Sequence, residues 1–491
     1  MDLDRIDDVE TLRSVAKSFE AQWKKAEERL ARLEARLAKL EGSAQLELEQ
    51  EITALKQQLS NRDRMLFGKR SEKRGRGKKK PSTEPQTGHG PTEQPELELV
   101  ERTHDLDEAD RVCPRCGSPL SEWEGQSEDS EEIEVIARRF VRLMQRRKKY
   151  RCACGGCVET APGPKKLVPG GRYSTGFAVH VAVAKYADHL PLERQVRMMK
   201  RQGLETTSQA LWDQVHALAT ALEPAHERLL AHLRAKPVVG ADETHWRVMN
   251  KGNSKRWHVW ALAAEDGVGY LLEDSRSADA ADKLFGGFEG TAITDGYAAY
   301  GALKKRGGRF RLAHCWAHVR RRFVEIEESY PEQCGRILDL IGALYEIERE
   351  ARAGPDLLEA RRRLRAERSR EIIRQIHAWA LEVEALGESP IRKAVEYMGS
   401  LWKGLTVFLD DPAVAVDNNG VERALRGVVV GRKNHYGSKS RRGTEAAAVL
   451  YSLIESAKLA GVDPDDYLCR AAEAAIDGTE IPLPHELAAE A

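Results

Sequence analysis

Three acidic residues in three separate settings constrain this chain more than any other feature. Val238 and Val239 read as a short apolar strand entered through Pro237, and Asp242 stands where that strand runs out. A second apolar piece, Thr291-Ala-Ile-Thr-Asp295-Gly296, also ends on an aspartate, here followed by a glycine turn. Far downstream, Asp417-Asn-Asn-Gly-Val-Glu422-Arg-Ala-Leu-Arg426 opens with helix-capping residues and sets a glutamate one turn in. Taken singly, each is an ordinary turn aspartate or surface glutamate. Together, two strand-end aspartates and a helical glutamate are what a site for two Mg²⁺ or Mn²⁺ ions requires. Hard carboxylate oxygens hold such a pair roughly 3.5–4 Å apart, activating a water and stabilising the leaving oxygen of a phosphodiester.

A chain of 491 residues exceeds one ordinary core, so several domains are expected. Its 41% hydrophobic content suffices for packed cores, while 32% charge implies long solvated helices as well. The 78 basic and 78 acidic residues cancel, so a polyanionic partner has to be sought in local clusters. The opening Met-Asp-Leu-Asp-Arg lacks the cationic and apolar regions of a secretory signal, and no run approaches the roughly 18 apolar residues of a membrane span. These features predict a cytoplasmic protein with no membrane partner. Eight cysteines, five of them between Cys113 and Cys157, suit a metal site in a reducing compartment better than a disulfide framework.

Residues 1–66 read as a coiled coil. Trp23, Ala26, Leu30, Leu33, Leu37 and Leu40 alternate by three and four; the seam breaks at Gly42-Ser43 and resumes out of phase at Leu48, Ile52, Leu55 and Leu59. So thin an apolar stripe points to self-association, with a helix folded back on its own protein as the alternative. Residues 67–110 have linker composition, a Lys/Arg run followed by Pro, Thr, Gln and Glu. The run offers sequence-independent phosphate contacts, or is only a solvated tether. Residues 111–164 read as a zinc ribbon. Cys113-Pro-Arg-Cys116 is a zinc knuckle by spacing, and Cys152, Cys154 and Cys157 compete for the two remaining places around Zn²⁺. Between the halves, Arg138 to Arg151 alternates apolar and basic residues, as a strand with one phosphate-facing side would. Residues 165–235 are helical. A helix over Leu192–Gln202, a break at Gly203 and a cap at Thr206-Thr207-Ser208 outline a helix-turn-helix, and equally any short helical hairpin.

From Lys236 the pattern changes. Strands are expected at Pro237–Ala241, Arg256–Ala263, Gly269–Leu272, Gly290–Thr294 and Arg309–Ala313, with a helix at Ala278–Phe285. That is a mixed sheet opening with a three-stranded meander, as ribonuclease-H-like folds do. Residues 236–325 would form the first part of a catalytic domain, 326–410 a helical insertion, 411–460 its completion and 461–491 a C-terminal tail. Cys315 and His318 have metal-ligand spacing but no second pair nearby, so a packed or hydrogen-bonded pair is expected. Arg320 and Arg321 sit on the basic helix that follows. Arg423, Arg426, Arg432 and Lys433 form a basic stretch beside the third acid, where a DNA backbone would be held.

Taken jointly, these residues resemble the insertion-sequence-66 family of transposases, a bacterial group with an Asp-Asp-Glu active site. The resemblance spans nearly the whole chain. It rests on Phe67-Gly-Lys-Arg-Ser-Glu-Lys73, the Cys-Pro-x-Cys-Gly ribbon, Tyr186-Ala-Asp-His-Leu-Pro-Leu192, Ala241-Asp-Glu-Thr244, Thr294-Asp-Gly-Tyr297, Cys315-x-x-His318, Asn418-Asn-Gly-Val-Glu-Arg423, Gly431-Arg-Lys-Asn434 and Tyr451-Ser-Leu-Ile-Glu455. It implies a multidomain α+β protein with coiled coil, zinc ribbon, helical DNA-binding region and ribonuclease-H-like α/β catalytic domain carrying a helical insertion. Asp242, Asp295 and Glu422 would be the catalytic, metal-binding triad, with Cys315 and His318 as structural support beside it. The reaction implied is cutting and joining at transposon ends without a covalent enzyme–DNA intermediate. Implied partners are double-stranded DNA (transposon ends and target), further copies of the chain and small accessory proteins of the same element. The Cys-Ala-Cys-Gly-Gly-Cys arrangement departs from the plain Cys-x-x-Cys of many relatives and leaves the second zinc pair open. Two other readings stand beside this one: a nuclease on the same fold that cuts without joining, and a catalytically idle DNA-binding regulator.

Overall fold

The computed structural model describes residues 139–151, 158–249, 256–383 and 389–489, with isolated positions at 24–25, 28–34, 52, 55–56, 115 and 118–119. The five ribbon cysteines, Cys113, Cys116, Cys152, Cys154 and Cys157, lie outside the described residues, as does most of the leucine seam. Within that seam, residues 28–34 are helical, and Lys56 Nζ lies 2.8 Å from Glu34 Oε1, a contact between its two halves. Of the alternating stretch ending at Arg151, only Lys149–Arg151 is a strand (β1), paired antiparallel with Val158–Thr160 (β2). The preceding described residues have no ladder partner to make a longer strand.

Three helices follow: α1 (Thr175–Tyr186), α2 (Leu192–Arg201) and α3 (Ser208–Arg234). Ser174 and Thr207 cap α1 and α3, accepting from Phe177 N at 3.2 Å and Ala210 N at 3.1 Å. Gly203, with φ +84°, makes the turn between α2 and α3. The 27 residues of α3 carry an apolar stripe from Leu211 to Leu233, so one rigid element runs from the turn to the central sheet.

That sheet has five strands: β3 (Val238–Arg247), β4 (Arg256–Ala263), β5 (Val268–Glu273), β6 (Thr291–Thr294) and β7 (Arg311–His314). Their order is β5-β4-β3-β6-β7, with β3, β4 and β5 an antiparallel meander and β6 and β7 parallel to β3. Helices α4 (Ala278–Phe285) and α5 (Ala298–Lys305) connect the last strands. The meander runs further than its local sequence suggests. β3 continues five residues beyond Asp242, because β4 pairs with it as far as Arg247↔Arg256 and Trp246 is buried there. Parallel pairing with β6 stops at Gly240↔Ile293, so Asp242 stands just past the point where one flank of β3 falls open.

β5 would be an exposed edge, but α3 and a later helix, Arg441–Leu459, cover it. Leu229, Leu230 and Leu233 of α3 press onto it because Gly267 and Gly269 lack side chains; a Cβ on Gly269 would lie 2.5 Å from Leu230. The edge amides of Val268 and Tyr270 donate to Ser456 Oγ at 2.9 Å and Ser452 Oγ at 2.8 Å, both on the covering helix.

Between β7 and the third acid the described residues are mostly helical: α6 (Trp316–Val324), α7 (Pro331–Ala353), α8 (Leu357–Leu364), a π-turn, α9 (Arg370–Glu382) and α10 (Pro390–Leu405). Helices α6, α7, α9 and α10 share one apolar core that includes Trp316, Phe323, Ile337, Ile341, Trp379 and Leu405, while Leu364 of α8 packs with Ile347 and Ala351 of α7 in a second. The chain returns as α11 (Asn419–His435), followed by α12 (Arg441–Leu459), α13 (Pro464–Asp477) and α14 (Pro484–Ala488). Among the described residues, no helix is long and apolar enough to cross a membrane.

Candidate functional site

Strand alternation sends Gly240, Asp242, Thr244 and Trp246 to one face of β3 and Ala241 and Glu243 to the other. The first face meets α11: a Cβ on Gly240 would collide with Asn418 Oδ1 and touch Val421. Asp242 Oδ1 accepts from the amide of Glu243 at 2.8 Å. Asp295 leaves the end of β6 in a tight turn, its Oδ1 accepting from Tyr297 N at 2.7 Å while Gly296 takes φ +88°. The helical insertion braces this turn. Tyr397 of α10 donates to the Asp295 carbonyl at 3.0 Å, and Leu401 fills the space a side chain on Gly296 would need.

Glu422 sits one turn into α11, and the start of that helix is held from two sides. Asn418 is buried; its Nδ2 donates to Ala241 O at 2.9 Å and its amide to Cys315 Sγ at 3.2 Å. It braces β3 rather than capping its helix, and Asp417 takes the local role, accepting from Asn419 N at 3.1 Å. Cys315 is buried, and burial pushes its thiol up to about 12, so it serves as a neutral acceptor. His318 Nδ1 lies 3.7 Å from Glu422 Oε1; both atoms are buried without a hydrogen-bond partner. Cys315 and His318 thus stand directly against the third acid.

The acids fall in two adjoining groups that could each hold a metal ion. Asp242, Glu243 and Asp295 each offer a carboxylate oxygen within 4.8 Å of the others, as do Cys315, His318 and Glu422 among themselves. Asp242 links them. Burial, then the charge of Glu243, then those of Asp295 and Glu422 raise its carboxyl to about 7, although the Glu243 amide works the other way. Hard carboxylates gathered on one end of a sheet, one with a buried unpartnered oxygen, fit divalent cations that take oxygen ligands.

The raised Asp242 carboxyl couples stability to pH. Its ordinary value is 3.8, so between about pH 4 and 7 the folded protein keeps a proton that the unfolded chain has released. Its contribution to stability is therefore full below about pH 4 and is lost as pH rises through about 7. Without divalent ions, wild type should lose stability relative to Asp242→Asn across that window, measured by urea denaturation. Mn²⁺ affinity should rise over the same window as the ion displaces the proton. A stability difference flat in pH would contradict this.

The basic residues are placed unequally. Arg423, Arg426 and Lys433 are exposed on α11, the helix that carries Glu422. Arg432 is half-buried, donating to Thr244 Oγ1 at 3.1 Å and to the His245 carbonyl, so its guanidinium is engaged within the fold. Arg320 and Arg321 are half-buried on α6. Local sequence does not mark Asn418 as a brace, nor Tyr397, nor the cluster of Arg276, Tyr297 and Tyr300 beside Glu243. Only the Tyr297/Tyr300 pair, one helical turn apart after the Asp-Gly turn, carried a local signal.

A family model described as "Transposase IS66 family" matches residues 170–446, a span holding all three acids, Cys315 and His318. Three similar proteins come from Sinorhizobium fredii (strain NBRC 101917 / NGR234). "Uncharacterized protein y4jD" is 35% identical over 390 residues, covering 75% of each chain. "Uncharacterized protein y4qI" is 31% identical over 69% of this chain and 66% of its own. "Uncharacterized protein y4hP" is 26% identical over 77% of this chain and 73% of its own. With the family model covering more than half of its length, the chain belongs to the IS66 family of transposases.

Proposed function

We propose that this protein binds the ends of its insertion sequence and catalyses their metal-dependent cleavage and strand transfer, on a ribonuclease-H-like catalytic domain. The observation that carries the reading is that Asp242, at the open flank of β3, lies close enough to Asp295 and Glu422 for both charges to raise its carboxyl. Mg²⁺ or Mn²⁺ held by these three would activate the attacking water or 3′-hydroxyl and stabilise the departing 3′-oxygen. The chain's own part is orientation. Tyr297 and Tyr397 fix the Asp295 turn, Asn418 sets the height of α11 against β3, and Cys315 with His318 backs Glu422. Arg423, Arg426 and Lys433 would meet DNA phosphates along the same helix, with Arg320 and Arg321 nearby in sequence to the Cys-x-x-His pair. Arg432 would act through the end of β3, which it holds.

The remaining assignments follow the family reading. Helices α2 and α3 with their glycine turn would read the element ends. Cys113 and Cys116 would share a structural Zn²⁺ with two of Cys152, Cys154 and Cys157. The leucine seam would join copies of the chain, and small proteins of the same element would assist, all in the bacterial cytoplasm. The test uses the full chain, Mg²⁺, a duplex ending in the element's termini and a plasmid target. Cleaved ends bearing 3′-hydroxyls and joined products are expected. Cutting without joining would favour the nuclease reading; binding without either would favour the idle regulator.

A further inference from the structure

Glu243 follows Asp242 directly, yet it points through the opposite face of the sheet, and its side chain is 1% exposed. A buried carboxylate so close to the two aspartates has two readings, a further ligand of the ions or a part of the frame. Its partners decide between them. Arg276 donates to Oε1 from Nε at 2.9 Å and again from Nη2, while Tyr300 donates its hydroxyl to Oε2 at 2.8 Å. Both oxygens are already engaged by fixed donors on the side of the sheet away from Glu422.

The contacts continue. Arg276 lies over the ring of Tyr297, 3.8 Å from its centre, and the Tyr297 hydroxyl donates to the Arg276 carbonyl at 2.9 Å. The Tyr297 amide is the donor that orients Asp295 Oδ1. An open circuit of contacts therefore runs from Asp242 to its neighbour Glu243, to Arg276 at the exit of β5, to Tyr297, and to Asp295 at the exit of β6. Tyr300 ties the circuit to α5, where Trp260 and Phe285 pack edge-on against its ring. β3 and β6 cease to pair at Gly240↔Ile293, before either aspartate, so no ladder hydrogen bond holds the two carboxylates together.

We propose that Glu243 is a positioning residue, whose buried carboxylate, paired with Arg276, clamps the Asp295 turn through Tyr297 and so holds the two aspartates at the spacing a divalent ion needs. The inference rests on the metal-site reading above. Loss of Arg276 leaves the buried Glu243 carboxylate without its charged partner, and loss of Glu243 leaves the 44% exposed Arg276 side chain without the anchor that holds it over Tyr297. Either partner's loss should then loosen the same turn, and loss of both should add little.

The test is a coupled pair of substitutions, Glu243→Gln, Arg276→Gln and the double variant, in the full chain. Mn²⁺ binding is read by electron paramagnetic resonance without DNA, and folding is checked by thermal melting. Changes to groups that orient metal ligands typically cost about 10–100-fold in affinity. Arg276→Gln should therefore weaken Mn²⁺ binding by about tenfold or more, although removing a cation would by charge alone strengthen it. The double variant should be no weaker than the worse single one. Arg276→Gln binding Mn²⁺ as well as or better than wild type, with Glu243→Gln deficient, would overturn the clamp and make Glu243 a ligand. A melting temperature lowered without loss of Mn²⁺ affinity would also overturn it, leaving the pair a role in the fold alone. Wild type failing to bind Mn²⁺, or binding it equally in Asp242→Asn and Asp295→Asn, would overturn the underlying metal site instead.

Discussion

A Glu422→Gln protein should bind element-end DNA as the wild type does and still lose cleavage and joining. The substitution keeps side-chain volume and hydrogen-bonding capacity and removes only the charge beside His318. Lewis-acid stabilisation is worth several kcal/mol, so the loss should be on the order of a thousandfold. Binding should survive because on the proposed reading it would draw on Lys and Arg contacts to phosphate rather than on the acids. Arg426→Ala, four residues on and exposed on the same helix, should fail differently. It should show weaker end binding, a shallower salt dependence and residual chemistry at high protein concentration. Glu422→Gln cutting at the wild-type rate would remove Glu422 from the site.

Replacing Glu348 should produce the largest change in stability. This glutamate is 1% exposed inside the helical insertion, with Arg361 Nε at 3.0 Å from one oxygen and Arg365 Nε at 2.7 Å from the other. The two guanidiniums also donate to backbone carbonyls of the returning chain: Arg365 to Phe408 at 2.7 Å and Asp411 at 3.1 Å, Arg361 to Pro412 at 3.1 Å. Glu348→Gln would leave two buried cations against a neutral amide, at a cost of about 3–5 kcal/mol. Urea denaturation should show it, and the segment leading to Asp417 should loosen first. Glu346→Gln, whose partner Arg349 is exposed, should leave stability unchanged within error. A Glu348→Gln protein as stable as wild type would mean that the carbonyls alone satisfy both arginines.

What the sequence makes legible here depends on the range of the interaction. β4 and α4 fall on the residues expected of them, because apolar run, helical period and breaker all lie within a few positions. The end of β3 does not. Asp-Glu-Thr-His reads locally as the end of a strand, and only pairing with β4, further along the chain, keeps it extended. Glu243 likewise looks like a solvated neighbour of Asp242 until Arg276, 33 residues on, and Tyr300, 57 residues on, close over it. Arg432 reads as a phosphate contact, yet its nearest acceptors lie nearly 190 residues earlier on β3. Asn418 has the local features of a helix cap, and the close approach of β3 at Gly240 draws its side chain elsewhere. The three acids could be proposed from order and setting alone. Their shared effect on Asp242 could not, since it depends on burial that three distant segments create together.

The central claim, one metal site built from Asp242, Asp295 and Glu422, is tested most directly by anomalous diffraction from crystals of the full chain grown with Mn²⁺. Anomalous peaks should lie between the carboxylates of Asp242 and Asp295 and beside that of Glu422, with Glu243 still turned to Arg276. Saturating Mn²⁺ that leaves these carboxylates without a peak, or that binds with Glu422 outside its coordination sphere, would contradict it.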